Sequence, residues 1–537
     1  MPIKPEQYIA RLEKLEGDRR NWDDHWQEIA EVVFPRRADF NKEVTRGERK
    51  NTKIVDSTAV IANELLGAGL HGMLTNPASK WFKLRMTDSQ MMEDDEVKKW
   101  LEEVERRMYI ALNNPRAQFS SHIHELYLDM TAFGTGAMFV GEDPKTGDLN
   151  FSTKHLKECY LAENTQGFID TIYRRFEFTA RQIVQKWGIE KASRDVKAAF
   201  DKQEFDTKFV IIHAVQPRSD FIHGSLARQD MPIASVYIMK NEKHILEEGG
   251  FEEMPYVAPR WAKVSGETYG RGPGVSNLPD IKMLQEMSKT VLKAAQKIVD
   301  PPLQVPDDGA LNPVKTVPGG LNFRRAGSDP ITPLQTGGNI PIGLELLNDV
   351  RMRIRQGFYI DQLQLQQGPQ MTATEVLQRQ EEKLRMMGPV LGRLQSELLG
   401  PMVERVFGLM LRRGKLPPAP EILADAEYDI EYVSPLARAQ KQADANGLLR
   451  VFEIGSPIIQ MQPESAQIIN GEDTIRWLGD MFGVPNSLFK SREDMEQMRQ
   501  QQQQEQQLQQ GLQTAQQGLQ AAQQGADVLD TVNKMEQ

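Results

Sequence analysis

Apolar positions recur every three to four residues near the start of the chain. Trp22, Trp26, Ile29 and Val33 form one helical stripe, with Asp and Glu on the other faces, until Pro35 ends the run. Ala59, Ala62, Leu65 and Leu66 predict a second helix that leads into the loop Asn76-Pro77-Ala78-Ser79, followed by Trp81, Phe82 and Leu84. Two more helices are expected near residues 95–113 and 118–131. The ordinary role of these aromatics is core packing. From Gly134 to Arg260 the period changes, and short β-rich runs at 137–140, 171–179, 208–215 and 235–240 are punctuated by Gly, Asp and Asn. This portion reads as a mixed α+β domain with a small antiparallel sheet.

Beyond it, Gly270-Arg271-Gly272-Pro273-Gly274 leads into a helix with Ser276 or Asn277 as cap and Pro279 and Asp280 in its first turn. Pro301-Pro302 stops that helix after Asp300, giving roughly 22 residues and about 33 Å of rod. A loop-rich segment follows, holding Pro306, Pro313, Pro318, Pro330 and Pro333. A second rod is expected from Ile342 to Asp361, with Leu347, Val350, Ile354 and Phe358 on one face. The segment between the rods therefore enters and leaves at the same end. An uncharged stretch, Gln362 to Gln370, comes next, and Thr372-Ala373-Thr374-Glu375 has capping-box spacing. The helix it opens carries Leu384, Met387, Leu391, Leu394 and Leu398 as a seam, and Gly388-Pro389 and Gly400-Pro401 should kink it. Helix is expected to about Phe489. The Gln-rich tail after Arg499 is open between a long helix in a multimer and a disordered polar segment.

Composition narrows the function. With 537 residues, 39% apolar and 26% charged, the chain is globular and long enough for two or three domains. It has no apolar run long enough to cross a membrane and no signal-peptide pattern after Met1. Cys159 is its single cysteine, which excludes an intrachain disulfide and fits a reducing compartment. A net charge of −10 argues against tight capture of DNA through phosphate neutralisation.

Catalytic signatures fail on inspection. Gly414-Lys415-Leu416 lacks the Ser or Thr of a P-loop, and Gly270, Gly272 and Gly274 lack the dinucleotide spacing and the preceding strand. His124-Glu125 is followed by Leu128 where a zinc protease needs His, and His122 and His124 point to different helix faces. No catalytic, cofactor-binding or metal-binding set is expected. What remains is charge on the rods. Lys282, Lys289, Lys293 and Lys297 share one face of the first, and Arg351 and Arg355 share a face of the second, with Arg353 pointing away. Alone these read as solvated faces. In a ring, each cation is multiplied by the number of subunits.

Taken together, Tyr269-Gly270-Arg271-Gly272-Pro273, Leu278-Pro279-Asp280-Ile281-Lys282, Asp300-Pro301-Pro302 and Met371-Thr372-Ala373-Thr374-Glu375-Val376 resemble the head-to-tail connector (portal) proteins of podovirus-type phages. So do Gly388-Pro389, Arg393-Leu394, Glu397-Leu398-Leu399 and Pro401, and upstream Asn76-Pro77 to Trp81-Phe82. The resemblance spans about residues 5–490. It implies a mainly α fold with a small α+β wing, assembling as a ring: wing 1–269, first stem helix 270–300, clip 301–340, second stem helix 341–361, tunnel loop 362–371, long kinked wing helix 372–415, crown 416–490 and a Gln-rich tail 491–537. It further implies a dodecamer at one capsid vertex of the virion, assembled in the host cytoplasm, with double-stranded DNA passing through the channel. Terminase large subunit, tail adaptor or tail tube protein, and scaffold, capsid and internal core proteins are the implied partners. No membrane is involved, and ATP hydrolysis belongs to the terminase rather than to this chain. On this basis Lys282, Lys289, Lys293, Lys297, Arg351 and Arg355 are candidate channel-lining residues. Gln362, Gln364, Gln366, Gln367 and Gln370 are candidates for the tunnel loop, and Lys315, Arg324 and Arg325 for the clip. The competing readings are another virion structural protein, such as an internal core or scaffold-like component, and a DNA-processing enzyme, against which the lack of clustered carboxylates and His ligands argues.

Overall fold

In the computed structural model the Trp22–Trp26 stripe lies on a single long helix, α1 (Pro5–Val32). The structure describes residues 4–304 apart from 43–44, 46, 87, 89–90, 92–93 and 226; then 314–316, 322–323, 327, 329–334, 340–363, 387–423, 428–429, 445–457, 462, 470–482, 484, 488–490, 494–507 and 509. After α1 come α2 (Thr58–Leu74), α3 (Asp95–Leu112), α4 (Phe119–Phe133), β1 (Ala137–Glu142), β2 (Leu149–Lys154), β3 (Cys159–Glu163) and β4 (Ile169–Thr179). Then follow α5 (Ala180–Trp187), α6 (Arg194–Asp201), β5 (Lys208–Pro217), β6 (Ile233–Met239), β7 (His244–Phe251) and β8 (Tyr256–Val257). The later helices are α7 (Leu278–Val299), α8 (Ile340–Gly357), α9 (Gly388–Leu394) and α10 (Gly400–Arg412). Helices predominate and the sheets are small. No described helix is long and apolar enough to cross a membrane.

The chain divides into two units, Met1–Lys83, Arg107–Leu416 and Ile430–Leu436 in the first, and Leu84–Arg106, Pro417–Asp429 and Ala437–Gln537 in the second. The core of the first is an antiparallel five-stranded sheet in the order β3-β4-β5-β6-β7. Strand alternation sends Tyr173, Ile212, Ala214, Val236 and Ile238 to one face, where Ile9, Leu12 and Leu15 of α1 cover them. The opposite face buries Phe176, Ile211 and Met239 under Ile183 and Trp187 of α5 and Val196 of α6. Thr179 and Gln182 form a reciprocal capping box that starts α5 directly at the end of β4. A second sheet, β2-β1-β8, brings Tyr256 to His213, whose Nδ1 and Nε2 meet Tyr256 OH and Ser235 Oγ, each at 3.0 Å. Burial, then the charges of Lys186, Arg174 and Lys154, push His213 well below its ordinary pKa, so it is neutral.

The strands expected from the sequence are present, most with longer ends, whereas β2, β3, β7 and β8 were not legible. The sequence of β7, His-Ile-Leu-Glu-Glu-Gly-Gly-Phe, has poor β propensity, and its pairing with β6 from Met239↔His244 to Ile233↔Phe251 overrides that preference. The second rod also ends earlier than expected. α8 stops at Gly357, Tyr359 adopts a left-handed φ of 59°, and a separate turn, Ile360–Leu363, follows. The kink expected at Gly400-Pro401 takes the form of a π-turn, Gln395–Leu399. Pro401 has no amide to give the Glu397 carbonyl, and the Gly400 amide reaches back five residues to Gln395 O.

In the second unit, Arg85–Met86 pairs antiparallel with Tyr428–Asp429, and Trp100 Nε1 donates to Pro417 O at 3.1 Å. Gly471–Phe482 is helical, as are 445–457 and 494–507, so the described start of the Gln-rich tail is helix.

Candidate functional site: paired helices and the node at their base

The two rods pack against each other as α7 and α8. A Cβ built on Gly343 would lie 3.0 Å from Val291 Cγ2, so the helices approach closely there. Nearer the sheets, Gln285 and Arg351 converge on one residue, Asp56, which fixes the pair as antiparallel. Ile281 and Leu284 of α7 and Leu347, Val350 and Ile354 of α8 are buried along the seam. Away from it, Leu292, Ile298 and Val299 of α7 and Ile342, Leu344, Leu346 and Met352 of α8 remain exposed.

The Gly-rich motif before α7 is a tight backbone turn rather than a phosphate cradle. It is a close-packed backbone joint against the end of α4. Gly134 closes α4 at φ 82°, and a Cβ there would run into Gly270 O and the Gly272 amide. A Cβ on Gly272 would meet Met130 O at 2.7 Å and Thr131 O at 2.9 Å. Tyr269 is clasped from α1, edge-on to Trp26 with ring centroids 5.0 Å apart, and its hydroxyl accepts from the Leu161 amide at 3.1 Å. Arg271 lies over Trp22 and pairs with Glu267 at 2.6 Å. Sequence spacing alone gave the glycines but not their partners.

A second clamp joins both rods to the segment before α2. Gln285 Oε1 accepts from the amides of Val55 and Asp56 at 2.7 and 2.9 Å, and its Nε2 donates to Asp56 O at 2.8 Å. Asp56 Oδ2 accepts from Arg351 Nε and Nη2 at 2.9 and 2.7 Å, and Oδ1 from the Thr58 amide. Burial raises the Asp56 carboxyl, but the hydrogen bonds from Thr58 and then Arg351 outweigh it and hold the pKa below the ordinary value. Arg351 thus spends two donors on this clamp. Asp56 carried one legible signal, an Asp two residues before Thr58 at a helix start; Gln285 carried none.

A third anchor ties the π-turn to the strand edge beside the glycine joint. Arg260 is fully buried. Its amide and Nε donate to Glu397 Oε2, each at 3.0 Å, and its Nη2 to Glu397 Oε1 at 2.7 Å and Gly167 O at 2.8 Å. Its Nη1 reaches Glu163 and Thr268 O. Lys263 also pairs with Glu163, and Arg393 with Glu397. Arg260 was missed in the sequence, where nothing distinguishes it from a surface arginine.

The remaining candidate residues are placed as follows. Lys282 lies 3.3 Å from Glu28, Lys289 lies 3.7 Å from Glu286, and Lys293 and Lys297 are exposed. Arg355 is 3.6 Å from Asp361, and Arg353 is exposed. Lys315 exchanges backbone hydrogen bonds with the Asn322 side chain at 2.7 and 2.8 Å. Leu303–Gln304 pairs antiparallel with Thr332–Pro333, holding the two ends of the inter-rod segment side by side. Gln362 falls in the Ile360–Leu363 turn. Gln364, Gln366, Gln367, Gln370, Arg324, Arg325 and the capping-box segment from Thr372 lie outside the described residues. Among the described residues no cluster of His, Cys, Asp and Glu has the geometry of a metal site. Burial pushes the Cys159 thiol up to about 12, which leaves it unreactive.

Residues 5–489 match the family of bacteriophage head to tail connecting proteins. Among curated relatives, the chain is 33% identical over 515 residues to a probable portal protein of Bordetella phage BPP-1, covering 91% of each. It is 31% identical over 501 residues to a portal protein of Salmonella phage epsilon15, covering 91% of this chain and 90% of the relative.

Proposed function

Because the chain belongs to the bacteriophage head to tail connecting proteins, we propose that it is a portal subunit, twelve copies of which form a channel at one capsid vertex. Double-stranded DNA passes through that channel during packaging and ejection. The observation that carries the ring is the surface of the paired helices. Leu292, Ile298, Ile342, Leu346 and Met352 are left in water by a single copy and are covered when copies stand side by side. In this reading α7 and α8 are the stem. The segment between them, 301–340, is the clip that receives the terminase large subunit during packaging and the tail adaptor or tail tube protein afterwards. Residues 362–371 form the tunnel loop, whose amides touch DNA without gripping it, and 416–490 form a crown that faces scaffold and internal core proteins. The subunit supplies passage and docking, and the terminase supplies ATP hydrolysis. In such a ring the lysine row of α7 has two places to go: the channel wall, where repeated copies add to a substantial field, or the joint between neighbours.

Electron microscopy of the purified full chain tests the reading. Hollow rings of about twelve subunits in end views are expected, in keeping with the closed cyclic symmetry of most homo-oligomers. Monomers or irregular filaments at every concentration, with purified scaffold present, would overturn it in favour of another virion structural protein.

A further inference from the structure

The outer sides of the two paired helices differ in charge: lysines dominate on α7, whereas on α8 the exposed carboxylates Glu345 and Asp349 outnumber Arg353, which lies about 40° round from Asp349. At about 100° of rotation per residue, Lys282, Lys289, Lys293 and Lys297 fall within about 80° of arc on α7. The centre of that row lies about 160° from Val291, which meets Gly343 of α8. The lysines therefore face directly away from α8. On α8, Ile342, Glu345, Asp349 and Met352 follow at intervals of three, four and three residues, and all four are exposed. This row is centred about 150° from the buried seam of Leu347, Val350 and Ile354, so it faces away from α7. Among the described residues Glu345 and Asp349 have no ion-pair partner, and neither do Lys293 and Lys297. Glu286 is the single carboxylate within the lysine row, and it already lies against Lys289.

The heights also match. Val291 is level with Gly343, and Gln285 and Arg351 meet on Asp56. By that alignment Glu345 stands level with the middle of the lysine row, between Lys289 and Lys293. Copies related by rotation about a ring axis keep their heights, and with the helix pair set along the circumference each presents one side of its pair to the opposite side of the next. Exposed Ile342 and Met352 at either end of the carboxylates are costly in water and suit a covered joint.

We infer that the lysine row of α7 and the Ile342–Glu345–Asp349–Met352 row of α8 are the two halves of one head-to-tail interface between copies of this chain. The lysines are then spent on the neighbour's carboxylates rather than on the channel wall. The inference rests on the ring reading and adds which surfaces meet.

The test uses two charge-reversed full-length variants, Lys289→Glu with Lys293→Glu, and Glu345→Lys with Asp349→Lys. All four side chains are exposed, so each variant should keep the wild-type circular dichroism spectrum. Each alone places like charges at every joint, and rings should then need at least about tenfold more protein to form. Mixed in equal amounts, the two variants restore opposite charges at every joint of an alternating ring, and ring formation should return. Rings counted by negative-stain microscopy and mass photometry provide the readout. Either variant assembling alone like wild type, with only DNA retention changed, would place the lysines on the channel wall and overturn the inference. Two defective variants that fail to rescue each other would overturn it as well, because the rows then do not meet. Wild-type protein that forms no rings would instead remove the ring reading itself.

Discussion

Replacing either partner of the Arg260–Glu397 anchor should destabilise the first unit, and by unequal amounts. Arg260→Met leaves Glu397, which is 7% exposed, with Arg393 as its remaining cation. It also removes donors to Glu163, Gly167 O and Thr268 O, of which Glu163 and Gly167 O keep Lys263. Breaking a buried pair costs up to about 3–5 kcal/mol, and Arg393, which stays beside Glu397, keeps the loss towards the lower end of that range. Glu397→Gln is milder. The amide keeps the shape and one acceptor, and Arg260 retains Glu163, Gly167 O and Thr268 O, so the loss is closer to the roughly 1.5–3 kcal/mol of a charge-assisted hydrogen bond. The double variant should cost less than the sum, with a coupling on the order of 1–3 kcal/mol, since the second replacement removes a partner that the first had already orphaned. Urea unfolding of the full chain, read by circular dichroism and total tryptophan fluorescence, gives all three values; urea is chosen because guanidinium would screen the pair. Equal single losses below about 0.5 kcal/mol, or strict additivity, would refute the assignment of this pair as the anchor of the π-turn.

Other consequences are checked more briefly. Gly134→Ala forces a Cβ into Gly270 O and the Gly272 amide at a left-handed φ; a loss of about 2–5 kcal/mol is expected from strain and overpacking together, measurable in the same urea experiment. Asp39 lies 3.0 Å from His155, and although burial raises its carboxyl, the hydrogen bond and charge of His155 and then Lys50 bring its pKa down to about 2. Its folded pKa is therefore below its unfolded value, so the stability it contributes is present above about pH 4 and lost as pH falls towards 2. Asp39→Asn should flatten that part of the acid limb of a stability–pH profile. Lys154 and Lys186 are each lowered to about 8, first by burial, so between pH 8 and about 10.5 the unfolded chain binds more protons and stability from these groups rises with pH. Lys154→Met with Lys186→Met should remove that rise. Deleting 362–370 should leave rings intact and impair DNA packaging or retention; normal packaging and retention by the deleted form would exclude a tunnel role for that stretch.

What was legible in the sequence, and what was not, follows from the range of the interactions. The rods could be read because the first has a cap and first-turn pattern, Ser276 or Asn277 with Pro279 and Asp280, and stops at Pro301-Pro302, while the second repeats Leu347, Val350 and Ile354 on one face. The joint at their base could not, because its bonds run between residues far apart in the chain, Asp56 with Gln285 and Arg351, Arg260 with Glu397, Gly134 with Gly270 and Gly272. No local pattern encodes such pairs. The proline at 401 was legible as a disturbance but not as a π-turn, since Glu397 at the turn's centre is fixed by a side chain from outside the helix. The charged rows are the intermediate case. Four lysines on one helix face read as a solvated surface when taken alone. They acquire direction once the fold puts Glu345 and Asp349 on the far side of the partner helix, at the same height. A channel-lining row needs no carboxylate counterpart on α8, whereas an interface between identical copies does, because each copy must carry both halves. The presence of both halves on one chain is why the charge on the paired helices is better explained by the neighbour than by the DNA.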